Sequence, residues 1–161
     1  MKFSELKGRA VVEITGAKTI GALHDLVIDL ATRQVIGLRV KESGLFGKTN
    51  SIARDALQNI GKDALTVSMA AEPTPNDTAL EKGPGFTDLI GKQVVSQGGR
   101  LVGELNDIEL DPANLAVTGY EVKEGGLLGK KHFLPESSDL TFGPQMVVVP
   151  DALLNLKEEG K

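Results

Sequence analysis

The chain has 161 residues, of which 40% are hydrophobic and 25% charged, and a formal net charge of −4; this balance excludes a disordered polymer and marks a folded globular protein. With no cysteine, neither a disulfide framework nor a thiolate metal site can form. Five Phe, one Tyr and no Trp leave the core to Val, Ile and Leu, which suit strands that bury one face.

The opening Met1-Lys2-Phe3-Ser4-Glu5-Leu6-Lys7-Gly8 is charged where a signal peptide would be apolar. No stretch approaches the roughly 18 apolar residues of a membrane span, so the expectation is a cytoplasmic protein without membrane insertion. Residues 9–14 form a β-rich run, and Thr15-Gly16-Ala17 turns the chain. Residues 23–30 alternate, with Leu26, Ile28 and Leu30 on one face and Asp25, Val27 and Asp29 on the other. After the turn Thr32-Arg33-Gln34, residues 35–42 make the next strand, with Ile36, Leu38 and Val40 in phase. A glycine-rich turn covers residues 43–47. Short strand candidates follow at 51–53, 57–60 and 64–68.

Residues 69–85, MAAEPTPNDTALEKGPG, contain three Pro and no strand alternation, and read as a linker. Beyond it the pattern starts again. At an offset of 82 residues, positions 18–67 align without a gap with 100–149, and 16 of the 50 are identical. Upstream the offset becomes 83, where Leu6, Gly8, Val11 and Val12 match Leu89, Gly91, Val94 and Val95. The chain is therefore two copies of one unit, at 1–68 and 86–161, the second with a short C-terminal helical tail. In the second copy the face opposite Ile108 and Leu110 becomes Asp107, Glu109 and Asp111, so the acidic face is expected to be solvated. About six short strands per unit, with glycine turns, predict an all-β fold: two tandem small antiparallel β-barrels, with short helical turns allowed at the unit ends. Units of this size are marginal alone, so the copies are expected to pack together.

The opening Ser4-Glu5-Leu6-Lys7-Gly8, matched by Thr87-Asp88-Leu89-Ile90-Gly91, resembles the PRC-barrel domain family, named for the cytoplasmic domain of the photosynthetic reaction centre H subunit. The Gly-x-Leu-x-Asp stretches from Gly21 and Gly103, the Val-Lys-Glu strand ends and the closing run from Ile60 to Val67 complete the likeness. The usual Pro after the short strand is present as Pro135, while the first copy has Ala53. The resemblance implies an adaptor that docks on proteins or RNA-protein assemblies, with no shared catalytic residue set.

The residues themselves offer little to an enzyme. Gly44-Leu45-Phe46-Gly47-Lys48-Thr49 ends like a phosphate loop, but the motif requires Gly at position 42, where Glu42 stands. His24 and His132 are the only histidines and do not occupy equivalent positions; no zinc ligand set is legible. A cation at Asp107, Glu109 and Asp111 would need convergent oxygen ligands. Ser51, Ser137 and Ser138 lack a nucleophile elbow. The expectation is no catalytic residue, no cofactor and no metal.

The candidate partner-binding residues are Leu45, Phe46 and Lys48 in the first glycine turn, and Leu127, Leu128 and Lys130 in the second. An apolar pair at a turn is unusual. Either it folds back to plug the end of its barrel, or it projects as an anchor rimmed by lysine, for a protein partner or a second copy of the chain. Charge keeps a ribonucleoprotein open as a rival partner, because residues 1–68 carry +3, 69–85 carry −2 and 86–161 carry −5. A small-molecule or metal sensor would need a cavity.

Overall fold

The β-branched runs that favour a pleated, half-buried surface become strands in both halves of the computed structural model, which describes residues 1–68, 78–125 and 129–154. A helical turn α1 (Phe3–Leu6) opens the first half. It is followed by β1 (Ala10–Glu13), β2 (Lys18–Asp29), β3 (Gln34–Lys41), β4 (Thr49–Ala53), a 3-10 turn (Arg54–Ala56), β5 (Leu57–Ile60) and β6 (Ala64–Val67). After α2 (Thr78–Lys82), the second half has α3 (Phe86–Leu89), β7 (Gln93–Ser96), β8 (Leu101–Leu110), β9 (Val117–Lys123), β10 (Lys131–Pro135), β11 (Thr141–Phe142) and β12 (Met146–Val149). Residues 151–154 are helical, and the rest of the expected C-terminal tail lies outside the described residues.

The protein is mostly β, but its sheets are neither closed nor wholly antiparallel, which corrects the expected barrels. Each half forms a six-stranded sheet, in the orders β4-β3-β2-β1-β6-β5 and β10-β9-β8-β7-β12-β11. The reason lies in the 3-10 turn. β6 pairs parallel with β1, and β5 antiparallel with β6, so β5 runs in the same sense as β4. Residues 54–56 thus step the chain from one edge of the sheet to the other rather than folding a hairpin, and β4 and β5 are the two end strands of the sheet.

β2 is also longer than the alternation indicated, beginning at Lys18, because Gly21 lets the backbone pass a register shift between Val11 and Val12 of β1. Gly21 has φ +155 and Gly103 +156; a Cβ at either would penetrate the carbonyl oxygen of Lys41 or Lys123. The linker region is not featureless, since α2 lies against β4 and places Leu80, 4% exposed, over Gly37. In the second half the ring of Phe133 takes that place over Gly119.

One apolar core runs through both halves, from Phe3, Leu6 and Leu26 to Phe86, Leu89 and Ile108. At its centre Phe3 and Phe86 meet edge to face at 5.2 Å and 73°, a favoured aromatic geometry. Because a Cβ at Gly21 would run into the Lys41 carbonyl and Val40 of β3, Gly21→Ala should destabilise the protein by about 1–3 kcal/mol and lower its thermal midpoint, whereas Gly125→Ala, with open space around it, should have a much smaller effect.

Candidate docking site

The turn between β3 and β4 is closed at its base by Glu42 N–H donating to the Lys48 carbonyl at 2.9 Å, and at its tip by Gly47 N–H donating to Gly44 O at 3.2 Å. Gly44 supplies the left-handed residue, with φ +109. This geometry turns Leu45 and Phe46 away from the sheet, at 92% and 91% exposed. They plug nothing, and the fold-back reading does not hold for them. Lys48 is exposed beside them. The second turn has the same base, Glu124 N–H to Lys130 O at 2.9 Å, and an exposed Lys130; Leu127 and Leu128 lie outside the described residues. The structure thus gathers Leu45, Phe46 and Lys48 on one hairpin tip and puts Lys130 on the corresponding hairpin of the other unit.

The acidic face is where sequence and structure part. Asp25 and Asp107 are 3% and 5% exposed, not solvated. Register shifts between Leu23 and Asp25, and between Leu105 and Asp107, break the alternation, and the opposite unit covers the outer face. Thr87 of the second unit donates to Asp25 through N–H (3.2 Å) and hydroxyl (2.5 Å), and Leu26 N–H adds a third bond at 2.9 Å. Reciprocally, Ser4 of the first unit donates N–H (3.2 Å) and hydroxyl to Asp107, beside Ile108 N–H at 2.9 Å. Hydrogen bonding compensates the burial of both carboxylates.

The arms before each helix extend the exchange. Lys2 bridges to Glu109, and Gly85 to Val27; Leu110 N–H donates to Met1 O at 2.7 Å, and Ile28 N–H to Pro84 O at 2.9 Å. The signal for this contact was in the repeat: Ser4 and Thr87 are both hydroxyl residues in equivalent places, facing an acid identical in both copies.

Charge distinguishes the two sides. Arg39 of β3 donates to Gly83 O at 2.5 Å and stands 3.9 Å from Asp25. Its counterpart Glu121 receives Lys2 at 2.8 Å, Lys131 at 3.3 Å and Asn106 at 3.1 Å. Burial pushes the Glu121 carboxyl upward, but the bonds from Lys2 and Lys131 outweigh it and hold it below the ordinary glutamate range. Elsewhere Arg33 pairs with Glu136 at 2.5 Å, and Tyr120 OH donates to Glu136 at 3.2 Å. Burial, reinforced by Glu136, raises the Tyr120 phenol, keeping it a neutral donor.

The remaining polar candidates are tied up locally. Asp111 accepts from Ala113 N–H and Asp29 from Ala31 N–H, so Asp107, Glu109 and Asp111 do not converge. His132 Nε2 is 2.8 Å from Glu124, and His24 is exposed. Among the described residues no three His, Asp or Glu side chains form a metal-binding group. Thr49 begins β4, so Gly47-Lys48 leads into a strand and not a helix.

A model of the PRC-barrel domain matches the chain twice, over residues 1–70 and 85–152. No curated protein matches it.

Two outcomes separate the tip from the interface. Phe86→Ala should cost about 3–5 kcal/mol, while the double substitution Leu45→Ser and Phe46→Ser should change stability by no more than about 0.5 kcal/mol per site; denaturant melts of both variants measure this. Glu121 supplies a pH signature. Its folded pKa lies below the unfolded value, so its contribution is present above the ordinary glutamate pKa and disappears as the pH falls through the folded one. The stability difference between wild type and Glu121→Gln should therefore be largest near neutral pH and shrink in acid; a constant difference across the titration would contradict it.

Proposed function

The chain belongs to the PRC-barrel domain family, in two tandem copies, and from that premise we propose that it is a non-enzymatic, cytoplasmic adaptor that docks a protein partner through the Leu45-Phe46 turn. The observation that carries the proposal is the exposure of these two large apolar side chains, above nine-tenths each, on a hairpin tip whose backbone is fixed by two hydrogen bonds. A rigid tip loses little conformational freedom on docking. Covering each side chain contributes roughly 1.5–3 kcal/mol, enough to make the pair a hot spot, and exposed Lys48 favours a partner surface with acidic residues around an apolar notch.

What supports a non-enzymatic reading is the engagement of the titratable groups. The buried aspartates accept structural hydrogen bonds from the opposite unit, and His132 is held against Glu124. No helix among the described residues is long and apolar enough to cross a membrane. A ribonucleoprotein partner is the second reading, favoured by the +3 charge of residues 1–68.

Affinity capture with the full chain, compared between wild type and the Leu45→Ser/Phe46→Ser variant and eluted at rising salt with and without nuclease, tests both. The adaptor reading expects a partner that survives nuclease, is lost with the double variant and binds the purified chain directly and saturably. Release by nuclease would replace it with the ribonucleoprotein reading, and an unchanged set of partners on the variant would remove the turn as the docking site.

A further inference from the structure

We propose that the cleft between the two units at Arg54 binds an extended peptide segment carrying an acidic side chain. The proposal is independent of the Leu45-Phe46 turn and rests on a place where the internal symmetry of the chain fails. At the offset of 82 residues, Arg54 corresponds to Glu136 and Arg33 to Leu115. On one side of the molecule Arg33 of the first unit and Glu136 of the second close the junction as an ion pair at 2.5 Å, with side chains only 10% and 21% exposed. On the other side Arg54 faces Leu115, which is fully buried.

The Arg54 guanidinium donates to the Asn114 carbonyl, and among the described residues no carboxylate lies within ion-pair distance of it. A guanidinium offers five donors in a fork shaped for a carboxylate. The junction that is filled by an acid on one side thus has, among the described residues, no acid on the other.

The vacancy is a cleft of about 440 Å³, walled by Arg54, the four residues of β5 and the turn of residues 112–115. This is the size range of ligand sites. The β5 wall adds a second recognition element. β5 is the terminal strand of its sheet, paired to β6 on one edge and, among the described residues, to no strand on the other. An extended chain can add to such an edge by main-chain hydrogen bonds. Four residues of strand span roughly 13 Å, which fits a segment of about four residues. Leu57 and Ile60, half-buried on this wall, add apolar surface to it, and the Arg54 guanidinium, which lines the same cleft, fixes the acid.

The corresponding site in the second unit cannot do this. Its terminal strand β11 has two residues, Thr141–Phe142, Phe142 packs against Tyr120 at 5.5 Å, and Arg33 and Glu136 occupy the space. The chain therefore has one such cleft among the described residues, although its fold is present twice.

The test is an NMR titration of the ¹⁵N-labelled full chain with an acetylated, amidated pentapeptide that has a central glutamate between valines. Its controls are the same peptide with glutamine, the same peptide N-methylated at the glutamate, and sodium acetate. The proposal expects saturable shifts confined to the amides of residues 54–60 and 112–115 at up to millimolar peptide, several-fold weaker binding of the glutamine peptide, and loss on N-methylation. In Arg54→Gln the preference for glutamate over glutamine should vanish, while the spectrum elsewhere, which reports folding directly, stays unchanged. Absence of saturable shifts, shifts mapping elsewhere, equal binding of the two peptides to wild type, or retention of the preference in Arg54→Gln would each overturn it. Acetate alone reproducing the peptide shifts would reduce the site to an anion contact and overturn the peptide reading.

Discussion

Two buried carboxylates, each satisfied by the other half of the chain, govern this structure. Asp25 depends on Thr87 and Asp107 on Ser4, so separating the units would take two donors from each acid and return its carboxylate to water. The hydrogen bonds to these charged groups are the stronger kind and would be exchanged for water, and the same separation would expose the apolar rings of Phe3 and Phe86. The arms of residues 1–2 and 84–85, paired with β8 and β2, tie backbone as well as side chains. Stability is thereby a property of the pair: a unit of some 65 residues, marginal by itself, is completed by its neighbour, and the two sheets share one core.

Exchange of this kind explains which features the sequence disclosed. The repeat, the strand runs and the glycine turns are local and could be read from spacing, whereas the close approach that Gly21 and Gly103 allow came only with the fold. The burial of Asp25 and Asp107 could not be read that way. Alternation assigns a polar side chain to solvent on the premise that the second face of a strand is open, and here that face is covered by residues 62 and 103 positions away in the chain. The hydroxyl-acid pairing was present in both copies, but only the acids lay on a predicted strand. The parallel β1–β6 pairing was likewise hidden, because it depends on residues 54–56 stepping across the sheet, and nothing in Arg-Asp-Ala distinguishes a step from a hairpin. For Leu45 and Phe46 the sequence left two orientations open, and only the fixed hairpin geometry chose between them.

The same symmetry shows where the copies are free to differ. Over Gly37 the first unit carries Leu80 of α2 and has Ser51 on β4, whose hydroxyl donates to the Leu80 carbonyl at 3.2 Å; the second has Phe133 at the position of Ser51, lying over Gly119 and 46% exposed. Arg39 faces the carbonyls at the end of α2, whereas Glu121 faces two lysines. Each substitution is matched by what covers it, so the sheets keep one shape while their outer faces carry different charge and contour.

Joining two such units in one chain changes what each contact must do. In a symmetric pair of identical subunits every interface residue appears twice, and a change in one junction is imposed on the other. A tandem chain lifts that constraint. The contacts that bury carboxylates and aromatic rings remain alike on both sides, because the loss of either would leave an unpaired charge or a void in the shared core. The Arg33–Glu136 junction has no such obligation to be repeated, and at Arg54 and Leu115 it is not. Arg33 and Glu136 close one rim as an ion pair, while the opposite rim, crossed by the bond from Arg54 to the Asn114 carbonyl, keeps an open cleft beside the buried Leu115.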